Sequence, residues 1–419
     1  MIQPRRSRAP HDAMFVKPCD DATATNPNPL EDMSTSDPPI PNLPEELLTI
    51  IFDCLITSSP PLNKFPFAVS VPTLLSHVSR RWRTIISTTP SMWTQVPISP
   101  FQSIHTLRSF LHHSSPLPIS VTAYQWPLDH PYIPPGTMTD QLNLLLGAEA
   151  DRERIYVLRV EATAPSDFSD SVIRAFVGER TRPVVHFPAL RHVSLNGALR
   201  GMWFGSHFFD TGNAPALNSF VLNDIAVNRF TRPPRFELQA PQSLTTLVWK
   251  RSTSTVVGDY RAVPIGKFRD IVSTFPSLTA LELHGEIINL EDADEAYFGT
   301  ITQGPPLTKI KSLRIAHPFT LPTSALDLFR LFPSLTYIFV GDKAGDGHPS
   351  TNSTLCALRA LAGSPEVLPF LQEAHFEFRG AESGSLLNQA VRGEVKTWLE
   401  NRKSVLGRAS GPTVVVNGA

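Results

Sequence analysis

One phrase recurs eight times along this chain: an apolar residue, two variable positions, an apolar residue, one variable position and a third apolar residue. It reads Ile155/Leu158/Val160, Leu190/Val193/Leu195, Leu217/Phe220/Leu222 and Leu244/Leu247/Trp249 in the first half of the series. Leu278/Leu281/Leu283, Ile310/Leu313/Ile315, Leu335/Ile338/Val340 and Leu371/Ala374/Phe376 complete it, with first positions 25 to 36 residues apart. A proline stands two residues ahead of the first position in five copies, as in Phe187-Pro188-Ala189-Leu190, Phe275-Pro276-Ser277-Leu278 and Phe332-Pro333-Ser334-Leu335. The last two apolar residues of each phrase lie two apart, so both point to one side of a strand. A single such unit cannot bury that side alone, and neighbours must stack with their strands in one parallel sheet. Return segments such as Gly266 to Phe275 and Thr323 to Phe332 have helical spacing. The expected fold is therefore α/β. The spacing is uneven, and unrelated strands of an ordinary α/β domain are the competing reading.

Composition narrows the partners. Lys+Arg 37 against Asp+Glu 38 gives a net charge of −1. Neither a nucleic-acid groove nor an anionic membrane is suggested, since both call for a concentrated basic surface. With 419 residues, 41% of them apolar, a sizeable core is expected. At roughly 150 residues per domain the length suggests two to three domains. Forty prolines cut the chain into short elements and exclude a long-helix bundle or coiled coil. Cys19, Cys54 and Cys356 are odd in number and far apart. That spacing fits neither a disulfide framework nor a zinc cluster, and a reducing compartment is expected, cytoplasmic or nuclear. No apolar run approaches the roughly 18 residues that span a bilayer, and no signal-like apolar region follows Met1.

Residues 1–39 are polar and proline-rich and read as a disordered arm. Then Leu43-Pro44-Glu45-Glu46-Leu47 opens a helix, with proline at its start and two carboxylates where the helix dipole is positive. Leu47, Ile51 and Leu55, flanked by Leu48 and Phe52, form one wide apolar face. A second helix is expected to run unbroken from Pro72 through Ile86, with Leu75, Val78, Trp82 and Ile85 on one face. Pro90-Ser91-Met92-Trp93 reads as a short third turn.

Those motifs resemble an F-box, the adaptor-binding module of Skp–cullin–F-box ubiquitin ligases. The family pattern is a Leu-Pro-x-Glu-Leu helix, a Val-Cys-Arg-x-Trp-like helix and a closing Pro-x-Leu-Trp. Here these read Leu43-Pro44-Glu45-Glu46-Leu47, Val78-Ser79-Arg80-Arg81-Trp82-Arg83 and Pro90-Ser91-Met92-Trp93. Two departures are Ser79, in place of the usual cysteine, and a long loop between the helices. The layout is similar to F-box-like proteins abundant in mushroom-forming fungi, which carry degenerate leucine-rich repeats behind the F-box. The asparagine or cysteine of regular repeats is missing, its places being taken by Ala198, Ile225, Ser252, Glu286, Pro318, Lys343 and Arg379.

The resemblance implies a small helical F-box followed by an irregular leucine-rich-repeat-like solenoid, its parallel sheet lining the concave side. The expected divisions are an F-box over 40–98, a linker and solenoid entry over 99–150, and degenerate repeats over 151–380. A capping helix over 381–406 and a loose tail over 407–419 follow. It implies a substrate-recognition subunit that docks a Skp adaptor and, through it, a cullin, and holds a protein substrate on the repeats. The implied adaptor-binding residues are Leu43, Pro44, Leu47, Leu48, Ile51, Phe52, Leu74, Leu75, Val78 and Trp82. Strand positions alternating with the buried pair place His192, Ser194, Asn196, Asn223, Lys250, Glu282, His284, Arg314, Tyr337, Phe339, His375 and Glu377 on the open side. Tyr337 and Phe339 are the expected anchors, because exposed aromatics so often supply hot spots.

The sequence offers no catalytic constellation: no phosphate loop, no His-Glu-x-x-His and no Gly-x-Ser-x-Gly elbow. No cofactor and no metal are expected. His112-His113 diverge by about 100° on a helix and read as a solvated pair. Two further readings stay open: an F-box scaffold or inhibitor acting outside a ligase, and an enzyme of unrecognised type.

Overall fold

The computed structural model describes residues 43–58, 70–99, 102–124, 137–161, 186–196, 214–223, 242–251, 263–285, 287–289, 305–316, 322–341, 351–378, 386–407 and 411–418. The disordered-arm expectation and the seven positions where asparagine was missed lie outside these residues. By its internal contacts the chain divides into two units, Met1–Leu48 and Thr49–Ala419. In the first, Leu48 donates its N–H to the Pro44 carbonyl at 3.1 Å, which closes the first turn of helix α1 (Glu45–Ser58), and its side chain is buried.

The second unit is built on one parallel sheet whose strands follow each other in chain order. They are β1 (Gln95–Ile98), β2 (Ile119–Tyr124), β3 (Ile155–Glu161), β4 (His192–Asn196), β5 (Ser219–Asn223) and β6 (Thr246–Lys250). Then come β7 (Ala280–His284), β8 (Ser312–Ala316), β9 (Tyr337–Gly341), β10 (Glu373–Phe378) and β11 (Thr413–Gly418). A pair of two-residue strands, Val263–Pro264 and Ile288–Asn289, stands apart from it.

The recurring phrase explains the register. Its second positions lie side by side, Leu158 with Val193, Phe220, Leu247, Leu281, Leu313, Ile338 and Ala374. The third positions do the same from Val160 to Phe376, and all three apolar residues of each of the eight phrases are buried. Each leucine-sized side chain removed from water in this way contributes roughly 1.5–3 kcal/mol. The prolines have a local purpose. Leu190, Leu217, Leu278, Leu335 and Leu371 each donate their N–H three residues back, to Phe187, Ala214, Phe275, Phe332 and Leu368, at 3.1–3.4 Å. Pro188, Pro215, Pro276, Pro333 and Pro369 therefore occupy the second residue of a tight turn, where their fixed φ is favourable.

Neighbouring strands are also joined just before they begin. The carbonyls of Arg191, Asn218, Thr245, Thr279, Lys311 and Thr336 each accept two successive N–H groups from the next segment, at 2.8–3.1 Å. Asn218 and Ser219 donate to Arg191, for example, and Thr336 and Tyr337 to Lys311. The hydroxyls of Thr245, Thr279 and Thr336 add a third donor to three of these carbonyls.

Helices fill the connections. Those after β1 are α4 (Ile104–His113), α5 (Thr137–Gly147), α6 (Glu149–Glu153), α7 (Ile265–Ser273), α8 (Pro322–Arg330), α9 (Thr351–Gly363) and α10 (Leu386–Leu406). The helices expected at Gly266 and Thr323 are α7 and α8, and Phe268, Val272, Leu328 and Phe329 are among their buried residues. The helix expected to run from Pro72 to Ile86 is instead two, α2 (Val71–Ser76) and α3 (Arg80–Thr88). Ser79 breaks it: its backbone is extended, and its hydroxyl accepts the Trp82 N–H at 3.1 Å as the cap of α3.

Two further expectations are corrected at the C-terminal end. Of the tail expected to be loose over 407–419, Thr413–Gly418 is a strand: Thr413-Val414-Val415-Val416 is rich in β-branched residues and pairs in parallel with β10. Helix α10 consequently connects β10 to β11 rather than closing the series. It packs on α9 and buries Val391, Val395, Trp398 and Arg402. At the other end, β1, at the close of the span expected for the F-box, and β2, within the expected linker and solenoid entry, extend the sheet ahead of the first phrase.

Candidate functional site

The sheet has one face that is half-open along its length. Its middle row runs Arg159, Ser194, Val221, Val248, Glu282, Arg314, Phe339 and His375 across β3 to β10. The flanking rows contribute His192, Tyr337 and Glu373 on one side and Asn196, Asn223, Lys250, His284 and Glu377 on the other. All twelve residues expected on the open face thus alternate with the buried pair. Their exposure differs: Lys250 and Arg314 are exposed, Ser194 is buried, and the others are half-buried.

Over β6 to β10 these side chains form a connected polar cluster. His284 and Glu282 approach to 3.3 Å, and His375 meets Glu373. The Tyr337 ring lies 5.4 Å from the His375 ring. The Arg314 guanidinium carbon sits 4.4 Å from the centroid of Phe339 and makes no hydrogen bond or ion pair with the described residues. Phe339 in turn covers Gly341, where a Cβ would fall 2.6 Å from the ring edge. The His284 hydrogen bond holds the Glu282 carboxyl below its ordinary range, and the charges of Arg314, His284 and Lys250 act the same way against burial. Burial pushes the Tyr337 phenol upward, and the charge of Glu373 adds to that. Residues 342–350, which follow β9, lie outside the described residues.

At the start of this face the arrangement is different. His192 Nδ1 stands 3.0 Å from Ser219 Oγ, and Asn196 donates its amide to Glu161 at 2.7 Å. Burial lowers the His192 pKa, with the positive charge of Arg159 adding to it. Arg159, Glu161 and Glu373 escaped the sequence reading, although counting from Ile155 and Leu371 by the same alternation reaches all three.

Around α1 to α3 the apolar residues separate into two sets. Phe52 is fully buried against Trp82, with ring centroids 4.7 Å apart, and Leu75 is buried beside them in α2. Phe52 and Leu75 belong to the interior of the second unit. The exposed set is Ile50 (58%), Ile51, Leu55, Leu74 (52%) and Val78 (60%), with Leu47 exposed in the first turn of α1. Pro44 is exposed, and Leu43 and Trp82 are half-buried. Trp93 donates its indole N–H to the Ile86 carbonyl at 2.8 Å and stacks on His113 at 4.7 Å, so the histidine pair is not wholly solvated. Arg83 donates to the Ser76 carbonyl at 3.0 Å, which ties α3 back to α2.

Among the described residues, no group of three or more His, Cys, Asp or Glu side chains is placed to hold a metal ion. No helix among them is long and apolar enough to cross a membrane. No protein-family model matches the chain, and no curated protein matches it.

Proposed function

We propose that the chain is a substrate-recognition subunit of a Skp–cullin–F-box ubiquitin ligase, working in the cytoplasm or nucleus and catalysing nothing itself. In this reading residues 40–98 form the F-box and dock the Skp adaptor. The stacked strands form an irregular leucine-rich-repeat-like solenoid whose open face holds a protein substrate.

The observation that carries the reading is the concentration of exposed apolar side chains around α1 to α3. Ile50, Ile51, Leu55, Leu74 and Val78 fall within 29 residues of sequence, whereas Tyr156, Phe370 and Val405 are the large exposed apolar residues described in all the remainder of the second unit. A surface helix that leaves several such residues in water is typical of a binding face. The motifs Leu43-Pro44-Glu45-Glu46-Leu47 and Val78-Ser79-Arg80-Arg81-Trp82 give that face its partner by resemblance. Ser79 departs from the family pattern, but it caps α3 and removes no apolar residue from this face.

The test is co-purification of the full-length chain with a Skp adaptor and a cullin. Replacement of Leu74 and Val78 together by aspartate is expected to abolish adaptor capture while thermal unfolding stays close to that of the unaltered chain. Adaptor capture without cullin would instead favour a scaffold or inhibitor outside the ligase. Adaptor capture undiminished by the double substitution would overturn the assignment of this face.

A further inference from the structure

A cavity of about 460 Å³ opens beside the first three strands, on the chain's second unit. Its apolar wall comes from Ile56 of α1, Pro72 of α2, Met92, Val96 and Pro97, and Phe110 of α4. Thr122, Tyr124, Arg159 and Glu161 line its polar side, with Thr57, Ser70 and Gln95 also in the wall. Pro97, Thr122 and Arg159 are partners in register across β1, β2 and β3, and Tyr124 pairs with Glu161 in the next row. The polar side chains around Arg159 are therefore carried by strands, which favours a fixed geometry there.

We infer that this cavity is a binding site for a small organic acid with an apolar body, its carboxylate held by Arg159. Three observations support the assignment. Arg159 is half-buried and makes no hydrogen bond, ion pair or ring contact with the described residues. A guanidinium drawn partly out of water without a partner is costly, and a carboxylate matches its fork with two parallel bonds. Glu161, the one carboxylate in the lining, is held by the Asn196 amide at 2.7 Å rather than by Arg159. Finally, the volume falls within the range of about 300–1,000 Å³ usual for small-molecule sites, and a wall that joins apolar side chains to convergent polar groups is a usual lining. The charge of Arg159 is also felt at His192, which is two residues from its register partner Ser194. A bound carboxylate would neutralise that field. The site is distinct from the polar cluster over β6 to β10 and from the exposed residues of α1 to α3, and it stands whether or not the chain binds an adaptor.

The test uses the full-length chain and two probes of one shape, 2-naphthoate and 2-naphthalenemethanol. Calorimetric titration is expected to show the acid binding about tenfold tighter or more, the range of a hydrogen bond to a charged group. Arg159→Gln should remove that preference and leave the alcohol unaffected. Gln95→Trp, at the exposed rim of the cavity, should weaken both probes together. Saturating 2-naphthoate should raise the His192 titration midpoint followed by NMR. Equal affinity of the two probes for the unaltered chain overturns the inference without recourse to any variant. So does a preference that survives Arg159→Gln, and so does binding that ignores Gln95→Trp, which would put the ligand elsewhere.

Discussion

Arg314 lies over Phe339, with 4.4 Å between its guanidinium carbon and the ring centroid. The two residues are partners in register on β8 and β9, so the stack is set by the sheet itself. The aromatic face takes up one side of the guanidinium and leaves its N–H edges to solvent. In the proposed recognition role, this pair is the anchor of the open face. Replacing Arg314, Tyr337 and Phe339 together by alanine is expected to lose the protein substrate and keep the adaptor. Quantitative pull-down of both partners checks it, and retention of every captured partner would move the substrate site off this face.

Acid should weaken the fold partly through Glu282. Its carboxyl titrates below its ordinary value of 4.5 in the folded chain, chiefly through the His284 hydrogen bond. A depressed carboxyl contributes stability that is fully present above the unfolded value and is lost as the pH falls through the folded one. Glu282→Gln should therefore lower stability at neutral pH and flatten its decline below about pH 4.5. Denaturant unfolding from pH 7 to pH 3 gives the comparison, and parallel curves for the two proteins would remove Glu282 from the account.

Removing Arg159 should change a different titration. The guanidinium charge disfavours protonation of His192, so Arg159→Gln should raise the His192 midpoint, although burial, the larger cause, still keeps it low. Proton NMR of the imidazole reads this directly, and an unchanged midpoint would show that the charge is screened.

The Ser79 cap is open to a simple test. Ser79→Ala leaves the Trp82 N–H without its acceptor and should cost about 0.5–2 kcal/mol, with Ser79→Asp recovering most of it. Chemical denaturation measures both, and a neutral alanine variant would mean that water replaces the hydroxyl without loss.

Gly285 should resist substitution. Its φ is +82°, and an added Cβ would lie 2.4 Å from the Arg251 carbonyl oxygen. Even Gly285→Ala is expected to destabilise by roughly 1–2 kcal/mol from the backbone alone, with the clash in addition. The neighbouring bonds, Arg251 N–H to the His284 carbonyl and Gly285 N–H to the Ala316 carbonyl, both at 2.7 Å, leave little room for adjustment.

Much of the sheet was legible in the recurring phrase, because its two-residue alternation fixes which side chains go inside and a shared register follows from that. The same alternation located the open face from His192 to Glu377. What the phrase could not show was the sheet's true width. β1 and β2 read Gln95-Val96-Pro97-Ile98 and Ile119-Ser120-Val121-Thr122, strands without the three-residue lead that marks the others. β11 follows Gly411 and Pro412, which suggest a chain end to any reader of composition alone. The break in the second helix was hidden for another reason. Ser79 sits within an unbroken helical spacing of apolar residues, and only its hydroxyl geometry shows that it caps. The cluster of Glu282 with His284, and of Glu373 with His375, depends on rotamers that spacing does not specify.

The six carbonyls that each take two N–H groups have an effect on how freely this chain can drift. An acceptor made of main chain asks nothing of its own side chain, and arginine, asparagine and lysine serve at Arg191, Asn218 and Lys311 as threonine does at Thr245, Thr279 and Thr336. The donating side is where mutation meets a barrier, since proline at Asn218, Ser219, Thr245, Thr246 or their counterparts would delete a bond from the seam. A lineage built this way can exchange most of its seam residues and keep its architecture, leaving descendants whose kinship is written in hydrogen bonds rather than in letters.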